Sequence, residues 1–265
     1  MLQNIAIGQY VPGKSFLHRS DPRSKLLFII LFATLVFLAN NAISYAILVG
    51  FTLLTAVLSR LSLSYILKSL KPVWILIVFT VILHIFITKG GAVYYQLGWF
   101  TIEENGVRQA IFISLRLSLL VLMSSLLTLT TSPIDLTEGL ERLLGPFGRV
   151  GVPVHDIALM MSIALRFIPT LMEETDKIIK AQTARGANFT SGSLVRRAKS
   201  LIPIAIPLFI SAFRRAEELA LAMEARGYRG GVGRTRLNKL SFSWRDASVA
   251  IVGVVLTLVI GWWRS

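Results

Sequence analysis

The sequence predicts an all-α integral membrane protein with about five transmembrane helices and three long amphipathic helices on the cytoplasmic side. Of its 265 residues, 54% are hydrophobic, which exceeds the roughly 45–50% typical of soluble domains. Several apolar stretches approach the length of about 20 residues that a bilayer requires. The chain also carries 28 Lys and Arg against 14 Asp and Glu, and membrane proteins concentrate such a basic excess in their cytoplasmic loops.

Five apolar stretches are predicted to cross the membrane. The first two are separated only by Asn40 and Asn41, which predicts a tight helical hairpin. The first and third stretches are short, but flanking Lys and Arg side chains can reach the interface and extend them. The predicted spans are residues 26–40, 42–58, 73–87, 107–131 and 246–263.

The distribution of basic residues predicts the orientation of these spans. Positive charges precede the first span and separate the second from the third, and the turn at Asn40–Asn41 has none. The N-terminus and residues 132–245 are therefore predicted to be cytoplasmic, with the C-terminus outside. In the outer loop between the third and fourth spans, Lys89 and Arg108 stand against Glu103 and Glu104, so Arg264 is the one charge without such a balance that opposes this arrangement. The chain then has three regions, residues 1–131, 132–245 and 246–265. The charges on the cytoplasmic side are Lys14, Arg19, Arg23, Lys25, Arg60, Lys68, Lys71 and most of those in residues 132–245.

The cytoplasmic region is predicted to contain three helices. The first begins at Ser132 and Pro133, which suit the N-cap and the first helical position. The second begins near Pro153, and its polar residues recur at helical spacing along one face. The third bends at Pro203 and Pro207, and its apolar part, residues 201–213, fits either a helix lying against the other two or a short re-entrant crossing. The polar residues of the second helix are Ser162, Arg166, Glu173, Lys177 and Lys180.

Composition argues against several classes of function. The chain has no Cys, and its three His share no ligand spacing, so neither a metal site nor a cofactor is expected. No aromatic-interleaved basic patch indicates nucleic-acid binding. The glycine-rich stretch GYRGGVGR at residues 227–234 lacks the phosphate-loop pattern and no strand precedes it. We therefore expect a non-enzymatic chain without its own nucleotide site.

Paired acidic residues on the second and third cytoplasmic helices are interpreted as ion-pair partners. Glu173–Glu174 and Glu217–Glu218 are adjacent in sequence, so the members of each pair point about 100° apart on a helix and do not form a catalytic dyad. Two i,i+4 ion pairs are predicted instead, Glu173 with Lys177 and Asp176 with Lys180.

One charged residue, Arg116, lies inside the fourth predicted span in the stretch IFISLRLSLL. A charge at membrane depth is a functional candidate by default. A structural Arg that pairs with a carbonyl or faces a polar groove explains it equally well. Both interpretations stay open from the sequence.

Two nearly identical stretches end the second and third cytoplasmic helices. They read AQTARG at residues 181–186 and AMEARG at residues 222–227, and both fit A-x-x-A-R-G. A local explanation accounts for each stretch alone, because Gly ends helices and Arg complements the negative end of the helix dipole. The repeat also places two small residues and one Arg on a single face, which suits docking to an acidic pocket. The candidate site residues are Ala181, Ala184, Arg185, Gly186, Ala222, Ala225, Arg226 and Gly227.

With these flanking sequences, the chain resembles the transmembrane T component of energy-coupling factor transporters, which are prokaryotic ABC-type importers of vitamins and transition metals. The resemblance covers nearly the whole chain. It rests on GQYVPGKSFLHRSDPRSKLL, with Asp21, Pro22, Arg23 and Lys25 at its centre, on SPIDLTEGLERLLGPF, and on the two A-x-x-A-R-G stretches.

The resemblance implies a membrane scaffold whose partners are two ABC-type ATPase subunits and a substrate-binding S component. Arg185 and Arg226 are then the coupling arginines, one for each ATPase, and the partners hydrolyse the ATP. The implied location is a prokaryotic cell membrane, where membrane lipid surrounds the spans. A stand-alone secondary transporter and an intramembrane enzyme remain the alternatives, and neither would need an ATPase to function.

Overall fold

The computed structural model describes residues 10–97, 100–187, 189, 194–228, 230 and 243–264. The described chain divides into two compact units. The first, called the α1–α4/α8 unit, comprises Gly8–Arg142 with Lys239–Ser265; the second, called the α6–α7 unit, comprises Met1–Ile7 with Leu143–Asn238. The helices are α1 (Pro22–Leu38), α2 (Ala42–Ser59), α3 (Leu63–Ile87), α4 (Glu104–Thr130), α5 (Pro133–Leu144), α6 (Val154–Ala184), α7 (Leu194–Ala225) and α8 (Trp244–Arg264).

Helices α1 and α2 form the tight hairpin that the sequence predicts. Helix α1 begins after Asp21, whose carboxylate accepts a hydrogen bond from the Arg23 backbone N–H, and it ends at Leu38. After three intervening residues, α2 begins at Ala42. The Asn41 side chain donates to the Trp263 carbonyl at 2.8 Å, so the turn also contacts the end of α8.

The core of the α1–α4/α8 unit lies where α1, α2, α4 and α8 meet. Phe32, Tyr45, Leu48, Leu126 and Ile260 are each no more than 1% exposed. Because lipid chains are as apolar as these side chains, dispersion contacts from close packing hold the helices together rather than escape from water.

The outer surfaces of these helices remain apolar. On α3, Trp74, Ile75, Phe79 and Ile87 are all more than half exposed. Such a face is unfavourable in water and favourable in contact with lipid. Within the described residues, five helices are long and apolar enough to cross a membrane, namely α2, α3, α4, α6 and α8. These helices confirm the predicted class, an all-α membrane protein.

The list of helices that could cross differs from the five predicted spans at two places. Helix α1, which contains most of the first predicted span, has only 17 residues and is not among the five candidate helices. Helix α6, predicted to be cytoplasmic, has 31 residues and reaches a mean hydropathy of 1.4, the lowest of the five, against 2.3 for α3. Both differences bear on the orientation of the chain in the membrane.

The connection between α3 and α4 contains a short antiparallel hairpin that the sequence analysis did not foresee. Its strands are β1 (Val93–Leu97) and β2 (Phe100–Glu103), with Val93 opposite Glu103. The aromatic and β-branched residues of VYYQL and FTIE favour strands, so this signal was present in the sequence. Helix α3 also begins ten residues before its predicted span, because Lys68 and Lys71 lie within the helix and not in a preceding loop.

Helix α5 begins as predicted. Ser132 Oγ accepts a hydrogen bond from the Asp135 backbone N–H at 3.1 Å and donates to the Asp135 carboxylate at 2.6 Å. Pro133 is the first helical residue. The chain then passes through a 3-10 helix, Gly145–Val150, before α6.

The α6–α7 unit is built on two helices of 31 and 32 residues that pack against each other. Residues 201–213 belong to α7, which runs as one continuous helix through Pro203 and Pro207. Each proline removes one backbone donor from the helix interior, which favours a bend. The bend at Pro203 and Pro207 stays a prediction. The predicted linker, residues 188–193, and the glycine-rich stretch after Tyr228 lie mostly outside the described residues.

Candidate functional site

The two A-x-x-A-R-G stretches form the same structure at the ends of α6 and α7. Helix α6 ends at Ala184, and helix α7 ends at Ala225. At the first end, Gly186 N–H donates to Thr183 at 2.9 Å and Ala187 N–H donates to Gln182 at 3.0 Å. The second end repeats both bonds, from Gly227 to Glu224 at 2.9 Å and from Tyr228 to Met223 at 3.0 Å.

This pair of bonds defines the Schellman motif, which closes a helix with a residue in the left-handed region. Gly186 has a φ of +88° and Gly227 a φ of +71°. Glycine adopts this conformation without the steric cost that other residues meet. The predicted helix ends at Gly186 and Gly227 are therefore confirmed, and each glycine fixes its arginine at the last position of the helix.

All eight candidate residues are exposed. Among the described residues, neither Arg185 nor Arg226 forms an ion pair. Ala181 and Ala222 stand four residues before their arginines and on the same side of the helix, and Ala184 and Ala225 directly precede the arginines. Small side chains therefore border each guanidinium. The two ends thus present the same cation on the same kind of surface.

An ion pair joins α6 to α7. Arg215 Nη2 donates to Glu174 Oε2 at 2.9 Å, and the two side chains are 34% and 25% exposed. The partners are 41 residues apart, which is also the separation of the two A-x-x-A-R-G stretches. Each partner therefore stands eleven residues before one of the two arginines, Glu174 before Arg185 and Arg215 before Arg226.

This spacing gives the two arginines equivalent positions relative to the ion pair. Eleven residues make about three helical turns, so each arginine lies about 16 Å beyond the ion pair and within about 20° of the same helix face. The structure therefore relates the two candidate arginines through one contact that the sequence analysis did not identify.

The predicted i,i+4 ion pairs on α6 are wrong. Among the described residues, Glu173 forms no ion pair with Lys177, and Asp176 forms none with Lys180. Glu173 and Lys177 are exposed, and ordering two long side chains in water costs about as much entropy as the contact returns. Glu174 pairs across the helices instead, as the interpretation of the acidic residues as ion-pair partners expects.

The opening motif of the chain lies in the α1–α4/α8 unit. Asp21 caps α1 and forms an ion pair with Arg23 at 3.0 Å. Lys25 Nζ donates to the Thr130 carbonyl at 3.2 Å and to Thr131 Oγ1 at 2.9 Å. The start of α1 is thereby bound to the end of α4.

The sequence analysis missed Asp246, which completes this cluster. Asp246 is 3% exposed and accepts hydrogen bonds from the backbone N–H groups of Asp21 and Ser243, both at 2.8 Å. A Cβ added at Gly139 of α5 would lie 3.0 Å from Pro22 Cβ, so α5 also packs closely on the opening motif. The ends of α1, α4, α5 and α8 therefore meet around these charges.

Arg116 of α4 contacts two aromatic side chains, Tyr45 and Phe37. Its Nε donates to the Tyr45 hydroxyl oxygen at 3.2 Å, and its guanidinium carbon lies 5.3 Å from the centre of the Phe37 ring. Tyr45 is 1% exposed, so the hydrogen bond satisfies a buried hydroxyl. The Nη groups of Arg116 take no part in this hydrogen bond.

Comparison with known sequences supplies the family. A family model described as "CbiQ: Cobalt transport protein" matches residues 13–237, which include Asp21, Pro22, Arg23 and Lys25 of the opening motif and both arginine-bearing helix ends. The chain belongs to this family. The match confirms the resemblance to the transmembrane T component of energy-coupling factor transporters.

Relatives that match this chain over nearly its full length share one name, energy-coupling factor transporter transmembrane protein EcfT. The chain is 86% identical to the energy-coupling factor transporter transmembrane protein EcfT of Brevibacillus brevis, with all of both chains covered. It is 52% identical to the EcfT of Bacillus subtilis, again over all of both chains, and 51% identical to that of Clostridium kluyveri, covering 98% of this chain and 96% of the relative. The T component is a multi-pass membrane subunit of a transporter, and the predicted transport function is confirmed at that level.

Proposed function

We propose that this T component is the coupling subunit of an ATP-driven importer, in which Arg185 and Arg226 each dock into one of two ABC-type ATPase subunits. The observation that carries the proposal is the matched pair of helix ends. Both arginines stand at the C-cap of a Schellman motif, exposed and without an ion pair among the described residues. Two equivalent helix ends suit two similar partners.

The chemistry of each helix end suits an acidic groove. An arginine guanidinium can bind a carboxylate through two parallel hydrogen bonds. The bordering alanines allow the helix end to approach a partner surface closely. The ATPase groove should therefore supply at least one carboxylate, together with donors that satisfy the last carbonyls of the helix.

ATP binding and hydrolysis belong to the partners in this proposal, and substrate choice belongs to a separate S component. The T component passes the movement of the ATPases through α5, α6 and α7 to the S component in the bilayer. The family description names cobalt, whereas the names of the relatives include no substrate. Vitamins and transition metals both remain substrate classes for the complex.

The proposed orientation places the N-terminus and residues 132–245 in the cytoplasm and the C-terminus outside. Helix α1 supports a crossing despite its 17 residues, because a short turn joins it to α2 and its side chains share the α2, α4 and α8 core. Helix α6 is the least apolar of the five candidate helices, and Arg166, Glu173 and Lys177 are exposed along it. These charges favour a position in the cytoplasm.

The test is quantitative co-purification of the two ATPase subunits with arginine variants of the full-length chain. Truncating one partner of a charged interface pair costs roughly 2–5 kcal/mol, so Arg185→Ala and Arg226→Ala should each weaken docking by about 30-fold or more. The double variant should lose more than either single variant. Arg→Lys should rescue only in part, because Lys lacks the two-pronged geometry.

Matched controls come from the same helices. Arg166 on α6 and Arg214 on α7 are exposed but lie outside the motifs, so Arg166→Ala and Arg214→Ala should leave ATPase recovery unchanged. If the arginines only complement the helix dipole, each variant loses a few tenths of a kcal/mol of helix stability and the complex assembles normally. Normal ATPase recovery from the double variant would reject the coupling role.

A further inference from the structure

A polar cavity of about 440 Å³ lies in the α1–α4/α8 unit, at the ends of α1 and α3 and the start of α4. Three cations line it, Lys89, Arg108 and Arg116. Its volume is within the range of small-molecule sites, about 300–1,000 Å³. The proposed function uses neither this cavity nor Arg116. The remaining polar residues of the lining are Asn40, Thr88, Asn105 and Gln109.

The cations of this cavity are not neutralised by an ion pair within the described part of the chain. None of its three cations forms an ion pair there. Glu103 and Glu104 are close in sequence but do not line the cavity. Their carboxylates accept hydrogen bonds from the backbone N–H groups of Gly90 and Ala92 in the α3–α4 connection.

Aromatic contacts fix the positions of the two arginines. Arg108, Phe112 and Arg116 are spaced four residues apart, so they lie on one face of α4. The Arg108 guanidinium carbon lies 5.5 Å from the centre of the Phe112 ring, and Phe112 stacks on Tyr45 at 5.0 Å. Tyr45 in turn accepts the hydrogen bond from Arg116 Nε. The Nη donors of Arg116 remain for a ligand.

We propose that this cavity binds the phosphate group of an anionic phospholipid. Converging guanidinium, ammonium and amide donors match the several acceptor oxygens of a phosphate. Apolar side chains within two residues of the lining in sequence stay exposed, with Phe37 60%, Ile87 68% and Ile111 52% exposed. They offer the acyl chains a surface beside the headgroup, and this favours a lipid over a free phosphate ion.

The predicted orientation makes these cations unusual. The ends of α1 and α3 and the start of α4 lie on the outer side in that orientation, where the positive-inside rule disfavours Lys and Arg. A bound anionic headgroup explains why three basic side chains meet there. Arg116 then has two roles, holding the Tyr45 hydroxyl and binding the lipid phosphate.

The test measures lipid binding to the purified full-length chain in detergent by native mass spectrometry. The probes are dioleoyl phosphatidylglycerol, dioleoyl phosphatidylcholine and inorganic phosphate. Phosphatidylglycerol should bind with at least tenfold higher affinity than phosphatidylcholine. In Lys89→Gln/Arg108→Gln that preference should fall about tenfold or more, since charge-assisted hydrogen bonds are lost. Both residues are exposed, so this variant should fold, whereas an Arg116 variant would also leave the buried Tyr45 hydroxyl without its donor.

The matched control is Lys68→Gln/Lys71→Gln, which removes two exposed cations at the other end of α3. This control should keep the lipid preference within twofold of the unaltered chain. Equal loss in both double variants, or equal binding of the two lipids, would overturn the proposal. Inorganic phosphate at millimolar concentration should not raise the unfolding midpoint of the purified chain. A rise that Lys89→Gln/Arg108→Gln abolishes would instead assign the cavity to the free anion and reject the lipid.

Discussion

Glu174 and Arg215, which pair at 2.9 Å between α6 and α7, stand at equal distances along their helices from the two candidate coupling arginines. Each lies eleven residues before its arginine and on nearly the same helix face. Two arms, residues 174–185 of α6 and 215–226 of α7, run from the ion pair to the two arginines. They are therefore matched in length and in rotation about the helix axis. A contact between the helices thus fixes both arms at the same point.

The ion pair itself should contribute little to stability. Both side chains are about a quarter to a third exposed, and exposed pairs contribute at most about 1 kcal/mol. We expect Glu174→Gln and Arg215→Gln each to destabilise the chain by less than about 1 kcal/mol, and a double-mutant cycle to give a coupling of about 0.5 kcal/mol. Thermal unfolding in detergent measures these values.

Reversing the pair separates position from charge. Glu174→Arg/Arg215→Glu should keep both the coupling and the recovery of ATPases close to those of the unaltered chain, because the contact between the helices survives the exchange. The control is Glu173→Gln, since Glu173 is exposed and forms no ion pair within the described residues. A coupling of zero would show that the contact does not hold the two helices at this point.

The glycine of each helix end should resist substitution although space surrounds it. A Cβ at Gly186 meets no atom within 4 Å, yet its φ is +88°. We expect Gly186→Ala to cost about 1–2 kcal/mol through backbone strain, and Gly186→Asn to cost less, because Asn tolerates this region. Hydrogen exchange at the last turn of α6 reports the loss. Gly148 also has open space and lacks a positive φ, so an equal effect of Gly148→Ala would contradict this explanation.

Removal of the Asp246 carboxylate should destabilise the membrane helices strongly. Asp246→Ala leaves the Asp21 and Ser243 backbone N–H groups without their acceptor. Asp21 is buried, and an unsatisfied buried donor costs about 1–3 kcal/mol. We expect a clear fall in the unfolding midpoint in detergent, with a smaller fall for Asp246→Asn, which keeps one acceptor oxygen. The exposed Asp156 at the start of α6 serves as the control. Similar midpoints for Asp246→Ala and Asp156→Ala would show that the cluster does not hold α1 to α8.

The orientation can be tested because the chain has no native Cys. Thr183 and Ala92 are both exposed, and the proposed topology places them on opposite sides of the membrane. A membrane-impermeant maleimide should label Ala92→Cys in intact cells and Thr183→Cys only after permeabilisation. Labelling of Thr183→Cys in intact cells would show that α6 crosses the bilayer.

Local features of the fold could be predicted from the sequence because local chemistry determines them. Ser132 begins α5, and Gly186 and Gly227 end α6 and α7, through hydrogen bonds that reach no further than five residues along the chain. The start of α3 was placed too late, because a hydropathy pattern detects where a helix becomes apolar and not where its hydrogen bonds begin. Lys68 and Lys71 occupy its polar first turns.

Contacts between distant residues were beyond the sequence pattern. The spacing of Glu173, Glu174 and Lys177 does not show that Glu174 pairs with α7. Glu173 and Lys177 have i,i+4 spacing, so the sequence favours an ion pair between those two instead. Asp246 likewise resembled the ordinary acidic start of a helix, and only the fold brings it to the Asp21 backbone. The candidate arginines could be named from the sequence, but their common reference point could not.

The equal arms of α6 and α7 have a mechanical consequence. Each helix carries its arginine about 16 Å from the ion pair, so turning one helix by about 10° about that point sweeps its arginine sideways by about 3 Å. That displacement is as long as the hydrogen bonds an arginine makes, about 2.9 Å. A small angular change at Glu174 and Arg215 thus moves an arginine far enough to exchange one set of hydrogen-bonding partners for another. The displacement for a given angle is the same for Arg185 as for Arg226.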